Sequence, residues 1–144
     1  MLNILAAIIA LSASATVPKP VATVEGWSEY QLPNGFKVLL FPDASKSSVA
    51  VNLTVFVGSR HENYGEKGMA HLFEHMLFKK TKKIASIKDE LARLGGSANG
   101  TTSFDRTNYY EIFSAGDDRL NRAIELEADR LKCDYFAQKN CLKN

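Results

Sequence analysis

A chain of 144 residues that is 45% apolar and 24% charged has the balance of a globular protein with a buried core, which excludes a disordered or collagen-like polymer. The length holds one domain but is short for an enzyme that must also enclose a deep substrate chamber. A net charge of +2, with the basic residues scattered, sets nucleic acid aside as a partner.

The chain opens on an apolar run, Ile4 to Leu11, followed by small residues ending in Ala13-Ser14-Ala15. This is the pattern a signal peptidase cuts, so residues 1–15 are predicted to direct export to the periplasm or extracellular space. Met1-Leu2-Asn3 lacks the usual Lys or Arg, and a retained segment would instead tether the protein to a membrane. The run is too short to cross a bilayer as a helix. Residues 16–26, rich in Pro, Thr and Val without periodicity, are predicted to be an extended linker.

The domain is expected to start near Trp27. Trp27 to Leu32 and Phe36 to Phe41 are predicted as two strands around Pro33-Asn34-Gly35, because Asn-Gly supplies the positive-φ residues of a hairpin. Ser48 to Val57 alternates and is rich in Val, so it is expected to form a longer strand. After a polar loop from His61 to Lys67, Gly68 to Phe78 carries Met69, Leu72, Phe73, Met76 and Leu77 at three-and-four spacing. That spacing predicts a helix with those residues inward. A second helix is expected from Ser86, as N-cap, to Leu94, ended by Gly95-Gly96. Strands follow at Ser97 to Ser103 and Thr107 to Ser114, turning at Phe104-Asp105-Arg106. A last helix is predicted from Asp117 to about Cys133, with Leu120, Ile124 and Leu131 on its apolar face and Glu127 within that stripe. The order of elements implies an α+β fold, helices laid on a mostly antiparallel sheet. Cys133 and Cys141, eight apart on a continued helix, would stand on the order of 12 Å apart along its axis, too far for a disulfide.

The chemistry is carried by His71-Leu72-Phe73-Glu74-His75. Residues four apart on a helix emerge on one face, so both imidazoles can reach one metal ion, with Glu74 on the same arc. A tetrahedral Zn²⁺ takes neutral imidazoles and keeps a position open for water in a catalytic site. A carboxylate beside it can accept the water's proton and pass it to a leaving amine, and Glu74 is the residue of the motif suited to that task. His61, the remaining histidine, falls in the preceding loop and is read as a surface residue. Lys79-Lys80-Thr81-Lys82-Lys83 is read as the solvated end of the helix, favoured by its dipole.

Five segments together resemble the insulinase (pitrilysin) family of zinc endopeptidases: Gly58-Ser-Arg-His-Glu62, Gly68 to Phe78, Leu94-Gly-Gly-Ser-Ala-Asn99, Asp105 to Glu111, and Leu126-Glu-Ala-Asp-Arg-Leu131. The resemblance runs from about Trp27 to Leu131 and implies that residues 27–144 are part of the family's N-terminal domain. It implies zinc as cofactor, His71 and His75 as its ligands, and Glu74 as general base. It also implies Asn99 on the strand that holds a peptide or protein substrate, added in extended form to the sheet edge. Family members supply a third ligand, a Glu about 77 positions beyond the second histidine, which falls past Asn144. Glu127 is read as the partner of an arginine, Arg106 or Arg130, and not as a substitute ligand. Two readings follow: a zinc-dependent endopeptidase truncated before its third ligand, or an inactive fragment or peptide-binding module that needs a partner chain to complete the chamber.

Overall fold

The computed structural model describes residues 18–79, 81 and 83–132. The segment predicted to direct export, residues 1–15, and Cys133 and Cys141 lie outside the described residues. Two compact units divide between Ala44 and Ser45. The fold is α+β, with antiparallel sheets and helices, as expected from the order of elements.

The first unit is a three-stranded antiparallel sheet of β1 (Ala22–Val24), β2 (Trp27–Gln31) and β3 (Lys37–Leu40). Strand β1 falls within residues 16–26, the stretch expected to be an extended linker, and pairs with β2. Glu25 (φ 49°) and Gly26 (φ 86°) both take positive φ, which makes a two-residue turn and pairs Val24 with Trp27. That turn lacks the Asn-Gly or Asp-Gly signature, and three residues of β1 are too few for alternation to show. The β2–β3 hairpin forms as predicted, with one change at its tip. Gly35 carries the positive φ (86°), while the Asn34 Oδ1 accepts the Phe36 N–H at 3.1 Å.

The second unit is a three-stranded sheet in the order β4-β6-β5, with α1, α2 and α3 packed on it. Its strands are β4 (Ser48–Val55), β5 (Ser97–Thr102) and β6 (Thr107–Ser114), and its helices are α1 (Met69–Met76), α2 (Ile87–Arg93) and α3 (Asp117–Lys132). Central β6 runs antiparallel to both neighbours, with Leu53 opposite Tyr109 and Tyr109 opposite Gly100. Tyr109, Glu111 and Phe113 alternate inward from β6. Phe113 packs in one core cluster with Ile87 and Leu91 of α2, Leu94 just past it, and Ala123 and Leu126 of α3. Each such large apolar side chain contributes about 1.5–3 kcal/mol by leaving water. Ser86 caps α2 by accepting the Asp89 N–H at 3.2 Å, as its position predicts.

The predicted inward face of α3 is corrected. On α3, Ile124 and Leu131 are about half exposed, whereas Ala123, Leu126, Glu127 and Arg130 are buried. The buried ridge includes Arg130 because its guanidinium finds partners inside, a fact no apolar count can register. On α1 Met69, Phe73, Met76 and Leu77 are partly buried as expected, Leu72 is half exposed, and the fully buried residues are Ala70 and Glu74. The burial of Glu74 is what positions the site.

Candidate metal centre

The metal-motif helix begins without a cap of its own. Gly68 sits at φ 90° with no side chain to accept the first free N–H groups of α1. Glu62, from the preceding loop, does so: its Oε2 accepts the Gly68 N–H and its Oε1 the Ala70 N–H, both at 2.9 Å. The hydrogen bonds from Ala70 and then Gly68 hold its carboxyl below the ordinary value. Sequence spacing concealed this cap, because the acceptor stands outside the usual position beside the helix start.

The same loop is locked to the turn after β5. Ser59 N–H donates to the Ser103 carbonyl at 3.0 Å and Arg60 N–H to the Phe104 carbonyl at 2.9 Å. A Cβ on Gly58 would lie 2.3 Å from the Ser103 carbonyl oxygen, so only glycine permits this approach. His61 is exposed, and its Nδ1 accepts the Gly58 N–H at 3.1 Å, a tie within its own loop and away from the motif.

Between these anchors α1 presents His71 and His75 outward, their rings 4.7 Å apart and their Nε2 atoms 3.1 Å apart. Two imidazoles bound to one tetrahedral ion at about 2.0–2.1 Å would bring their nitrogens to roughly 3.3 Å. The pair therefore fits a shared zinc with little adjustment. Ligand atoms of His71, Glu74 and His75 all lie within 4.8 Å of one another, and among the described residues no other His, Cys, Asp or Glu joins them.

Glu74 differs from the two histidines in being only 5% exposed. Helix α1 crosses β5 at Gly100, where a Cβ would stand 2.9 Å from the Phe78 ring and 3.0 Å from Glu74 Oε1. The missing side chain lets the carboxylate sit between helix and strand. There Glu74 Oε2 accepts the Thr102 hydroxyl at 2.7 Å. Thr102 was not singled out by sequence reasoning, and no local pattern could reveal a bond that spans 28 positions.

A cleft of about 750 Å³ opens over this group, with His71, Glu74 and His75 on one wall and Asn99, Gly100 and Thr101 on another. Strand β5 is an edge of its sheet. Asn99 is exposed there, and its Oδ1 accepts the Gly100 N–H at 2.9 Å. All four site residues expected from the sequence thus line one cleft.

Glu127 lies elsewhere. Its Oε1 is 3.1 Å from Arg130 Nη2, which stands 3.6 Å from Glu111 Oε1, and all three side chains are buried. The Arg130 guanidinium lies 4.9 Å from the Phe78 ring and 4.8 Å from the Tyr109 ring, a cation held between two aromatic faces. Arg130 is therefore the partner of Glu127, whereas Arg106 pairs with Asp105 at 3.6 Å. Burial first, and then the adjacent Glu111, push the Glu127 carboxyl up to about 9, against the pull of Arg130.

The chain is similar to known proteases over most of its length. An uncharacterized zinc protease of Rickettsia bellii is 36% identical over 121 residues, covering 83% of this chain and 29% of the relative. The crystal structure of a protease from Helicobacter pylori superposes with a TM-score of 0.69 at 34% identity, over 74% of this chain and 26% of that one. The periplasmic protease PqqL of Escherichia coli superposes with a TM-score of 0.71 at 25% identity, over 79% of this chain and 14% of that one. The chain thus spans less than a third of the length of these relatives. The family model described as Insulinase (Peptidase family M16) matches residues 37–143, and the chain belongs to that family.

Proposed function

We propose that this chain carries the metal-binding and proton-accepting part of a zinc endopeptidase centre that acts on peptide or protein substrates. The observation that supports it most is the juxtaposition of two exposed imidazoles, Nε2 atoms 3.1 Å apart, with a buried carboxylate on the same helix. His71 and His75 would hold the zinc, and a family-type third ligand would come from polypeptide outside these residues. Zinc, when bound, supplies the Lewis acidity that makes water acidic near neutral pH and polarises a peptide carbonyl.

Glu74 would accept the proton of the attacking water on its carboxylate and return it to the leaving amine. Its burial excludes bulk water from one side of the carboxylate, and Thr102 fixes its direction. Asn99, on the exposed edge of β5, would meet the backbone of a substrate lying along the strand in extended form. Recognition of backbone in this way tolerates many substrate sequences. The remainder of the chamber would be supplied by a further part of the polypeptide or by a partner chain, since the matched region covers less than a third of these relatives. Residues 27–144 then act as a partial N-terminal peptidase domain. The N-terminal apolar run and the periplasmic setting of PqqL support export of the protein.

Metal analysis of purified protein tests the centre. In equilibrium dialysis against excess zinc, wild-type protein is expected to bind the metal, more weakly than a site of three protein ligands, and the His71→Ala/His75→Ala double variant to lose that binding. Equal zinc in the two proteins would refute the assignment.

A further inference from the structure

We propose that Thr102 is a positioning residue whose hydroxyl keeps the Glu74 carboxylate off the metal, so that this glutamate serves as a base instead of becoming a third protein ligand. The inference rests on the zinc centre described above and concerns what divides its labour. Three groups capable of binding a metal stand within 4.8 Å of one another on α1. Nothing in the chemistry of a carboxylate restrains it from joining two imidazoles on one ion, since Asp and Glu oxygens are ordinary zinc ligands.

The restraint lies on β5. Thr102 Oγ1 lies 2.7 Å from Glu74 Oε2, and its other hydroxyl neighbour, Thr107 Oγ1, is at 3.5 Å. Thr107 is buried and spends its own proton on the Val57 carbonyl at 2.9 Å. An ionised carboxylate can only accept, so the Thr102 proton goes to Glu74. A hydrogen bond to a charged acceptor is among the stronger ones, and here the acceptor is almost wholly shielded from water. Gly100 leaves room for the carboxylate in that direction, which makes the strand-facing pose sterically free.

Removal of the hydroxyl would leave a buried carboxylate without this donor, a state that costs more than the hydrogen bond itself is worth. The open direction leads to the cleft, where a cation between His71 and His75 offers a replacement. The predicted effect has an unusual sign. Groups that merely support metal ligands lower metal affinity by about 10–100-fold when removed. Loss of the Thr102 hydroxyl should instead raise it, because a site of two imidazoles gains an anionic ligand.

The test is zinc affinity of the 144-residue protein, measured by competition with a chromophoric chelator at neutral pH. Thr102→Val is expected to bind zinc about tenfold more tightly than wild type, on the scale of such outer contacts. Thr102→Ala, which removes the same hydroxyl without adding a methyl in its place, should show the same gain and guards against misfolding of the valine variant. Thr102→Ser restores the donor and should match wild type within about twofold. In Thr102→Val/Glu74→Gln the gain should vanish, since an amide is a poor zinc ligand. Unchanged or weaker binding by both Val and Ala variants, or a gain that survives Glu74→Gln, overturns the proposal while leaving the zinc centre in place. Wild-type protein that binds no zinc overturns both.

Discussion

Single residues in this chain matter most where a side chain is missing. At Gly100 the inferred Cβ would stand 2.9 Å from the Phe78 ring and 3.0 Å from Glu74 Oε1, so Gly100→Ala must push α1 away from β5 or force Glu74 out. Overpacking of this kind costs about 1–3 kcal/mol. In a small domain that lowers the melting temperature by several degrees, roughly 4–8 °C per kcal/mol. Gly58→Ala should be worse, because the atom met at 2.3 Å is a backbone carbonyl that already accepts the Ser59 N–H. Thermal melts of the two variants beside wild type check both the effect and its order; a Gly58→Ala protein as stable as wild type would contradict the close approach. The pairing of His71 and His75 was legible, because helical spacing alone places them on one face. The burial of Glu74 was not, since it depends on an absent side chain on a strand 26 positions away in sequence.

At the level of elements, hydrophobic spacing found the three α-helices and all strands but β1 among the described residues, and it misjudged single residues of the inward faces. Helix α1 shows why. Its orientation is set by contacts with β5 and by the loop that caps it, and one residue of its apolar stripe, Leu72, is left half exposed. The cap makes a specific prediction. Glu62 accepts two N–H groups at the start of α1 and also faces the positive end of the helix dipole. Its folded pKa is below the ordinary 4.5, so the stability it contributes is present above that value and lost as pH falls beneath it. Glu62→Gln should therefore melt lower than wild type at pH 7, and the gap should close as wild-type Glu62 protonates in acid. A gap that stays constant to pH 3 would show that charge on Glu62 is not what matters. Helix α2 offers a control for ordinary capping: Ser86→Ala removes the acceptor of the Asp89 N–H and should cost about 1 kcal/mol at either pH.

For the molecule as a whole, the unusual feature is a cluster of three buried ionisable groups behind the metal helix. Glu111 comes from β6, Glu127 and Arg130 from α3, and the guanidinium rests between Phe78, just past the end of α1, and Tyr109 of the central strand. One cation cannot neutralise two buried carboxylates, so the folded protein favours a proton on the pair, and the Glu127 carboxyl is pushed up to about 9 by burial and by Glu111. The sign of the consequence follows from linkage. Between the ordinary value of 4.5 and about 9 the folded state holds a proton that the unfolded chain has released, so stability falls as pH rises through that window. Wild-type protein should accordingly melt at higher temperature at pH 5 than at pH 8.5. Glu127→Gln keeps the shape and the neutral form without a proton to lose. It should melt above wild type at pH 8.5 and show a flatter profile, and a wild-type profile that rises toward pH 8.5 would contradict a protonated pair. Arg130→Met should be damaging at every pH, because it strips the cation from two buried acids and the packing from two rings at once. Since Phe78 also lies against Gly100 beneath Glu74, loosening this cluster should reach the metal helix. Zinc affinity in Arg130→Met is therefore expected to fall together with stability, whereas in Glu127→Gln it should stay at the wild-type level at neutral pH.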